Sequence, residues 1–506
     1  MKINSIKFKS SFIITLLFFV LSFWLIHSHE MWADELHTWT FARDVNSISS
    51  FFYSIQYGGH PSLWYLIVYP FSKIFSNAIS IQYLHIIIST LNIYILNRYS
   101  PFDYYKKILI TFSYFFFYEY SLITRNYSLI ILLIFIICSL ITIKLYSRLL
   151  ISFLIFLLCH SHVFGIVFAI SFLFYFTSEK YLKKKKIYNQ DRIDLISFII
   201  IVIGIITSSL TVIQPSDSPL ASSWNNYFVF DNYLILIKSF ISGYLPISKF
   251  KYEFWNSVIY FDKNYIILGL LIIFTMFFFI LILVFSFINT PSILIFFLTS
   301  TFGLFCLFLY TKHLGAIRHN GFFFISFIAT MWIKESSKNL NLINFYKSYI
   351  KICVKKIINY FFFLICIIHF IATIFPVYLD YNYPFSGAIE TANFIKKEKL
   401  DKLQIVSYPS FNTSAVIGHL DKKKTFYINE NRYASYYTFD ASMNLINQND
   451  NIFQTITELK KYHKFLLIIL NFNLAEDLLN DLNLVKVFQS QKSIIPDEIF
   501  HLYTFR

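Results

Sequence analysis

The chain of 506 residues is 57% hydrophobic and 21% aromatic with only 14% charged residues, and its mean hydropathy of +0.58 lies outside the range of water-soluble globular domains. Its formal charge of +15 does not call for nucleic acid, because the lysines fall in short blocks beside apolar runs, as the positive-inside bias of membrane proteins predicts. Those runs are continuous rather than alternating, which excludes a β-barrel and leaves an α-helical multi-pass bundle.

Lys2, Lys7 and Lys9 open the chain and an apolar segment follows at 10–28. His27-Ser28-His29-Glu30 offers no small-residue cleavage site, so the segment reads as an uncleaved first span. Directly after it come Glu30, Asp34 and Glu35 with Trp32, His37 and Trp39, then Arg43, then the entry Gly59-His60-Pro61 to the next apolar stretch. Carboxylates crowded at the mouth of a membrane helix cost free energy unless solvated or paired, so the cluster marks a functional site. Residues 62–76 and 79–97 both look helical, yet parity from Asp34 outside to Lys106 and Lys107 inside allows one net crossing. Pro70 makes 62–76 the interfacial or re-entrant segment.

Further spans are predicted at 107–124, 126–146, 149–161, 163–179, 194–213, 264–287, 292–311, 321–334 and 358–378, for about 11 transmembrane helices in all. Lys183 to Lys186 and Lys347, Lys351, Lys355 and Lys356 are held in the cytoplasm. Two regions stand outside the bilayer: a loop at 214–263, containing Pro215, Pro219, Trp224 and Trp255, and everything from residue 380 to 506. In the latter, β-like runs at Gln404–Tyr408 and Phe465–Leu470 alternate with helix-like stretches at Ser386–Lys399 and Thr457–Lys464. The expected architecture is therefore an all-α polytopic bundle at 1–379, with outer loops 29–61 and 214–263, and a small α/β extracytoplasmic domain at 380–506, large enough for one core. The five cysteines lie within or against apolar helices and support neither disulfides nor a metal.

This topology carries Arg125, His160, His162, Lys312 and Arg318 with His319 to the outer ends of helices. Cations are scarce there under the positive-inside bias. Arg125, Lys312 and Arg318 therefore want an anionic partner, and a phosphate or diphosphate suits guanidinium groups that bind oxygens bidentately. His160 and His162 flank Ser161 and read as helix-end residues, while Trp24, Trp32, Trp39 and Trp64 read as an interfacial belt.

The acidic pair after the first span, followed by Gly59-His60-Pro61-Ser62-Leu63-Trp64-Tyr65, resembles the C-type membrane glycosyltransferases, in particular the protein O-mannosyltransferase and aminoarabinose transferase group. Thr124-Arg125-Asn126-Tyr127-Ser128-Leu129 and Gly315-Ala316-Ile317-Arg318-His319-Asn320-Gly321 also look like patterns of uncharacterised bacterial members. The likeness covers residues 1 to 380 in architecture and is sharpest over 30 to 65. It implies an enzyme of the bacterial plasma membrane that moves a sugar from a polyprenyl-phosphate donor to a glycan or lipid acceptor of the cell envelope, by inverting displacement on the outer face. On that analogy Asp34 is the general base, Glu35 orients the acceptor, and Arg125, Lys312 and Arg318 receive the leaving phosphate, with Glu30, Arg43, His60 and His319 binding substrate or holding the loop. Some relatives carry a second acid near the outer mouth of a later helix, where this chain has Asn126, with Glu119 as the nearest acid. A divalent metal therefore finds no support and no cofactor is assigned. The tail is also unlike a β-trefoil insert, which disfavours a protein acceptor. The rival readings are a flippase or transporter of lipid-linked sugars, which should show inverted repeats and mid-membrane ionisable residues, and a non-catalytic envelope assembly protein.

Overall fold

The computed structural model describes residues 2–144, 147–182, 190–221, 231–311, 315–337, 348–420, 424–443, 448–462 and 466–505. The chain is mostly helical, at 71%, and the sheet found among the described residues lies wholly beyond Asn382. The helices in chain order are α1 (Lys2–Ile26), α2 (Ala33–Asp44), α3 (Ile48–Gly58), α4 (Leu63–Ile74), α5 (Ile79–Tyr99), α6 (Tyr104–Thr111), α7 (Tyr127–Ile143), α8 (Arg148–Cys159), α9 (Val163–Leu182) and α10 (Gln190–Val212). After them come α11 (Asp231–Tyr244), α12 (Ile266–Phe287), α13 (Pro291–Tyr310), α14 (Ile317–Ser336) and α15 (Ser348–Asn382).

Seven of the described helices are long and apolar enough to cross a membrane: Lys9–Ile26 within α1, α5, α9, Arg192–Val212 within α10, α12, α13 and Ile352–Asn382 within α15. The chain is thus a multi-pass membrane protein, but length and composition do not reach the expected count of about 11. The shortfall has identifiable places. The stretch at 107–124 is broken into α6 and a buried π-helix, Tyr114–Glu119. The runs 126–146 and 149–161 become α7 and α8, of 17 and 12 residues. At 1.5 Å per residue these fall short of a hydrocarbon core about 30 Å thick. The remaining stretch, 321–334, lies in α14, where every residue from His319 to Ile333 is buried, as expected of a helix apolar on all sides inside a bundle. It packs against α7, α11 and α13. Helix α4, at 12 residues with Pro70 inside it, is likewise too short to span. The loop expected at 214–263 contains α11, whose segment Tyr233–Tyr244 is apolar.

Helix α15 runs through Asn382, so the last domain starts a few residues later than the expected 380. It contains α16 (Ala388–Lys397), β1 (Gln404–Tyr408), α17 (Ser410–Gly418), β2 (Thr425–Tyr427), β3 (Arg432–Ala434), α18 (Gln448–Tyr462), β4 (Leu466–Leu470), α19 (Glu476–Asp481), β5 (Leu484–Gln489) and β6 (His501–Phe505). The strand order is β3-β2-β1-β4-β6-β5. Strand β1 runs parallel to β2 and β4, whereas β3, β6 and β5 are antiparallel to their neighbours. Alternation along the strands gives each face its own core. Ile405, Leu467, Ile469 and Leu502 face Ala392, Ala415 and Val416 of α16 and α17 and, in the same cluster, Leu36 and Trp39 of α2. Val406, Ile468 and Leu470 face Ile452 and Ile456 of α18. One face of the sheet therefore shares its core with the helix that follows the first span. Contact is close: a Cβ at Gly418 would stand 3.2 Å from Thr40 Cγ2 and 3.3 Å from Leu36 Cδ2.

Candidate functional site

Helix α2 starts at Ala33, so Asp34 and Glu35 fall in its first turn, where the helix dipole favours negative charge. Neighbouring residues on a helix point about 100° apart, and the two carboxylates separate accordingly. Glu35 turns inward and is fully buried. Its Oε2 accepts from the Trp32 backbone N–H at 3.2 Å and lies 3.1 Å from His29 Nε2, while its Oε1 accepts from the Thr124 backbone N–H. His29 in turn meets Asp380 through Nδ1 at 2.8 Å. Burial disfavours the imidazolium, but Asp380 and Glu35 outweigh it and hold the His29 pKa well above its ordinary value. Glu35 thus ties α2 to the end of α15 and to the loop carrying Arg125. It does not line the cavity described next, and the expected role of orienting an acceptor does not fit its position.

Asp34 faces a cavity of about 560 Å³, within the usual size range of small-molecule sites. Its Oδ2 lies 3.0 Å from Arg125 Nη1 and 3.8 Å from Arg318 Nη2, and Arg125 Nη1 also donates to the Asp34 backbone carbonyl at 2.9 Å. The Arg318 guanidinium sits 5.3 Å from the rings of both Trp32 and Trp255, so aromatic faces help to hold it in place. Burial pushes the Asp34 carboxyl up, yet Arg125 and Arg318 prevail and hold it below the usual carboxylate range. The three side chains keep partial exposure, 29% for Asp34, 15% for Arg125 and 16% for Arg318, so the cluster is open where that of Glu35 is closed.

Around them lie His60, His162 and His319, all lining the cavity. His60 stacks on His162 with ring centroids 5.0 Å apart, and His319 Nε2 lies 3.1 Å from the Tyr127 hydroxyl. Burial, and then Arg125, bring His60 down to about 4; burial and the neighbouring imidazoles likewise lower His162. These two are therefore neutral near pH 7, each with one N–H to donate. His60 Nδ1, His162 Nε2, His319 Nδ1 and Arg318 Nε are buried atoms without a hydrogen-bond partner, and buried polar atoms are ordinarily satisfied. Gly59, at φ +64°, turns the chain from α3 toward His60; a Cβ there would come within 3.0 Å of Gln214 Nε2.

The helix ends explain the convergence. Arg125 precedes α7, His162 joins α8 to α9, Gln214 follows α10, Thr311 follows α13 and Arg318 opens α14, and all of them line the same space. Besides Glu35, two expected residues lie elsewhere, and a third is not described. Arg43, at the far end of α2, is buried and forked onto Asp44 at 2.8 and 2.6 Å. Glu30 does not reach the cavity; burial, partly offset by His29, brings its carboxyl to about 7. Lys312 lies outside the described residues. Sequence reasoning also missed the roof. The last domain contributes Phe411, Asn412, Tyr437, Asp497 and Glu498, and the Glu498 carboxyl group accepts from the Ala33 N–H at 2.9 Å and from the Ser386 hydroxyl at 2.5 Å. It thereby caps the helix that carries Asp34. No motif near residue 498 signals this, because the partner is 465 positions away. Among the described residues no three His, Cys, Asp or Glu side chains converge as metal ligands. No family model, curated protein or solved structure matches the chain.

Proposed function

We propose that the chain is an integral membrane glycosyltransferase, which moves a sugar from a polyprenyl-phosphate donor to an acceptor hydroxyl on the outer face of the plasma membrane. One observation carries the reading: a carboxylate and two guanidinium groups share a cavity where the ends of several helices meet, with Asp34 3.0 Å from Arg125 and 3.8 Å from Arg318. Asp34 takes the acceptor's proton, and the freed oxygen pair attacks the anomeric carbon from the side opposite the phosphate. The bond from that carbon to the phosphate oxygen breaks, its electrons stay on the phosphate, and the anomeric centre inverts. Arg125 and Arg318 stabilise the charge that grows on the leaving group, which favours the transition state over the bound donor.

The low proton affinity that Arg125 and Arg318 impose on Asp34 fits this sequence of events. An arriving phosphate offsets the field of the two arginines, so the carboxylate becomes a stronger base only once the donor is seated. The polar groups of the cavity gather at helix ends rather than in the middle of the long apolar helices, which favours this reading over a transporter. The test is mass spectrometry of envelope glycans from cells carrying the wild-type chain or Asp34→Asn. The reading expects one sugar to be missing in the variant although the protein accumulates and inserts normally; an unchanged glycan profile overturns it.

A further inference from the structure

The roof of the cavity has a chemistry of its own. In the order β2-β1-β4 the chain leaves β1 on one side through α17 and returns on the other as β4, so the carboxyl ends of β1 and β4 form a topological switch point, where open parallel sheets leave a crevice. Asn412, just past β1, and Asn471, just past β4, both donate through Nδ2 to the backbone carbonyl of Asp497, each at 3.1 Å. Because Asn412 Nδ2 is committed to a carbonyl, the opposite end of the amide is oxygen. That Oδ1 is buried and has no partner, in a residue only 7% exposed that lines the cavity. Beside it stand the exposed Asp497 carboxylate and the ring of Phe411, 38% exposed.

An orphan amide oxygen, a carboxylate and an aromatic face are acceptors for adjacent hydroxyls and a platform for an apolar C–H face. We propose that this crevice binds a saccharide ring, so that the C-terminal domain supplies the carbohydrate subsite above Asp34. Resting on the transferase reading, the assignment has two possible sources of the ring, the acceptor glycan or the sugar being transferred, with the same contacts for either. A phosphate is not its ligand: Asp497 repels one, and the unpartnered atom of Asn412 is an acceptor, which an anion cannot satisfy. The crevice therefore complements the cationic floor, which takes the phosphate.

The full-length chain in lipid nanodiscs tests this by saturation-transfer NMR with methyl glucoside, galactoside and mannoside, and with farnesyl phosphate bare or carrying a hexose. Asn412→Leu and the more exposed Phe411→Ala should each weaken saccharide binding about tenfold, the effect of one lost contact of roughly 1.4 kcal/mol, and leave bare farnesyl phosphate unaffected. If the weakening is seen with the free glycosides the ring is the acceptor's; if it is seen only with hexose-bearing farnesyl phosphate, the ring is the transferred one. The inference is overturned if neither variant changes saccharide binding, if bare farnesyl phosphate weakens equally, or if the wild-type chain binds no saccharide in any form. A wild-type chain that binds saccharide but not farnesyl phosphate would instead sink the transferase reading and leave the subsite standing.

Discussion

Asp34 and Glu35 are neighbours in the chain, yet they belong to opposite kinds of ionic cluster. Glu35, His29 and Asp380 form a closed set, with side chains 0%, 1% and 3% exposed and with His29 engaged on both ring nitrogens. Asp34, Arg125 and Arg318 form an open set at the wall of a cavity, surrounded by imidazole and guanidinium atoms that have no partner. A satisfied buried charge cluster holds elements in register, and removing one member leaves the others uncompensated. An open cluster lined by unpartnered buried polar atoms leaves those atoms to a ligand, since buried polar atoms are ordinarily satisfied. Partner satisfaction, rather than residue type, is what distinguishes the two clusters.

The comparison can be broken at either cluster. The largest effect is expected for Asp34→Asn, which should lower transfer by about 10²–10⁴-fold, the range for loss of a general base, with little change in the thermal midpoint of the purified protein. Glu35→Gln should do the reverse, destabilising the fold by roughly 3–5 kcal/mol as a broken buried pair does. A Glu35 variant of normal stability with abolished turnover would invert the assignment of the two carboxylates. Next comes Arg318→Gln, expected to reduce turnover about 10²–10³-fold through loss of a charge aimed at the leaving group. Because Arg318 helps to hold Asp34 below the usual carboxylate range, the same change should move the acid limb of the pH–rate profile upward. An unmoved limb would separate Arg318 from Asp34.

The last expected effect is on stability alone and concerns Glu498, which joins the two regions. Burial, partly offset by Ser386 and the Ala33 N–H, raises its carboxyl to about 8 from an ordinary 4.5. The folded chain therefore binds more protons at this site than the unfolded chain between those values, so this group's contribution to stability is complete below 4.5, falls as pH rises through the window and levels off above about 8. Glu498→Gln should flatten that part of the stability profile in thermal melts between pH 5 and pH 8 on the order of the span named here. A slope unchanged by the substitution would show that another group titrates.

Much of the bundle was legible in the chain itself. Continuous apolar runs marked α1, α5, α9, α10, α12, α13 and α15, since the cost of burying backbone in lipid acts on each segment separately. Span parity and the scarcity of outer cations singled out Arg125, Lys312 and Arg318 as phosphate partners on the face that holds Asp34; Arg125 and Arg318 do meet Asp34, while Lys312 lies outside the described residues. Strands β1 and β4 showed as short β-branched or aliphatic runs. Strands β2 and β3, of three residues each, were too short to leave a pattern.

What composition and hydropathy determined is therefore the membrane helices, the separate sheet domain and the short list of charges at one end, because transfer from water to lipid depends on local polarity. Tertiary structure alone decided which carboxylate faces the cavity, that 107–124 breaks at a π-helix, that Arg43 is spent on Asp44, and that the last domain roofs the site. These outcomes depend on side-chain direction and on hydrogen-bond partners 91 and 465 residues apart in the chain. Only packing brings such distant groups within bonding distance.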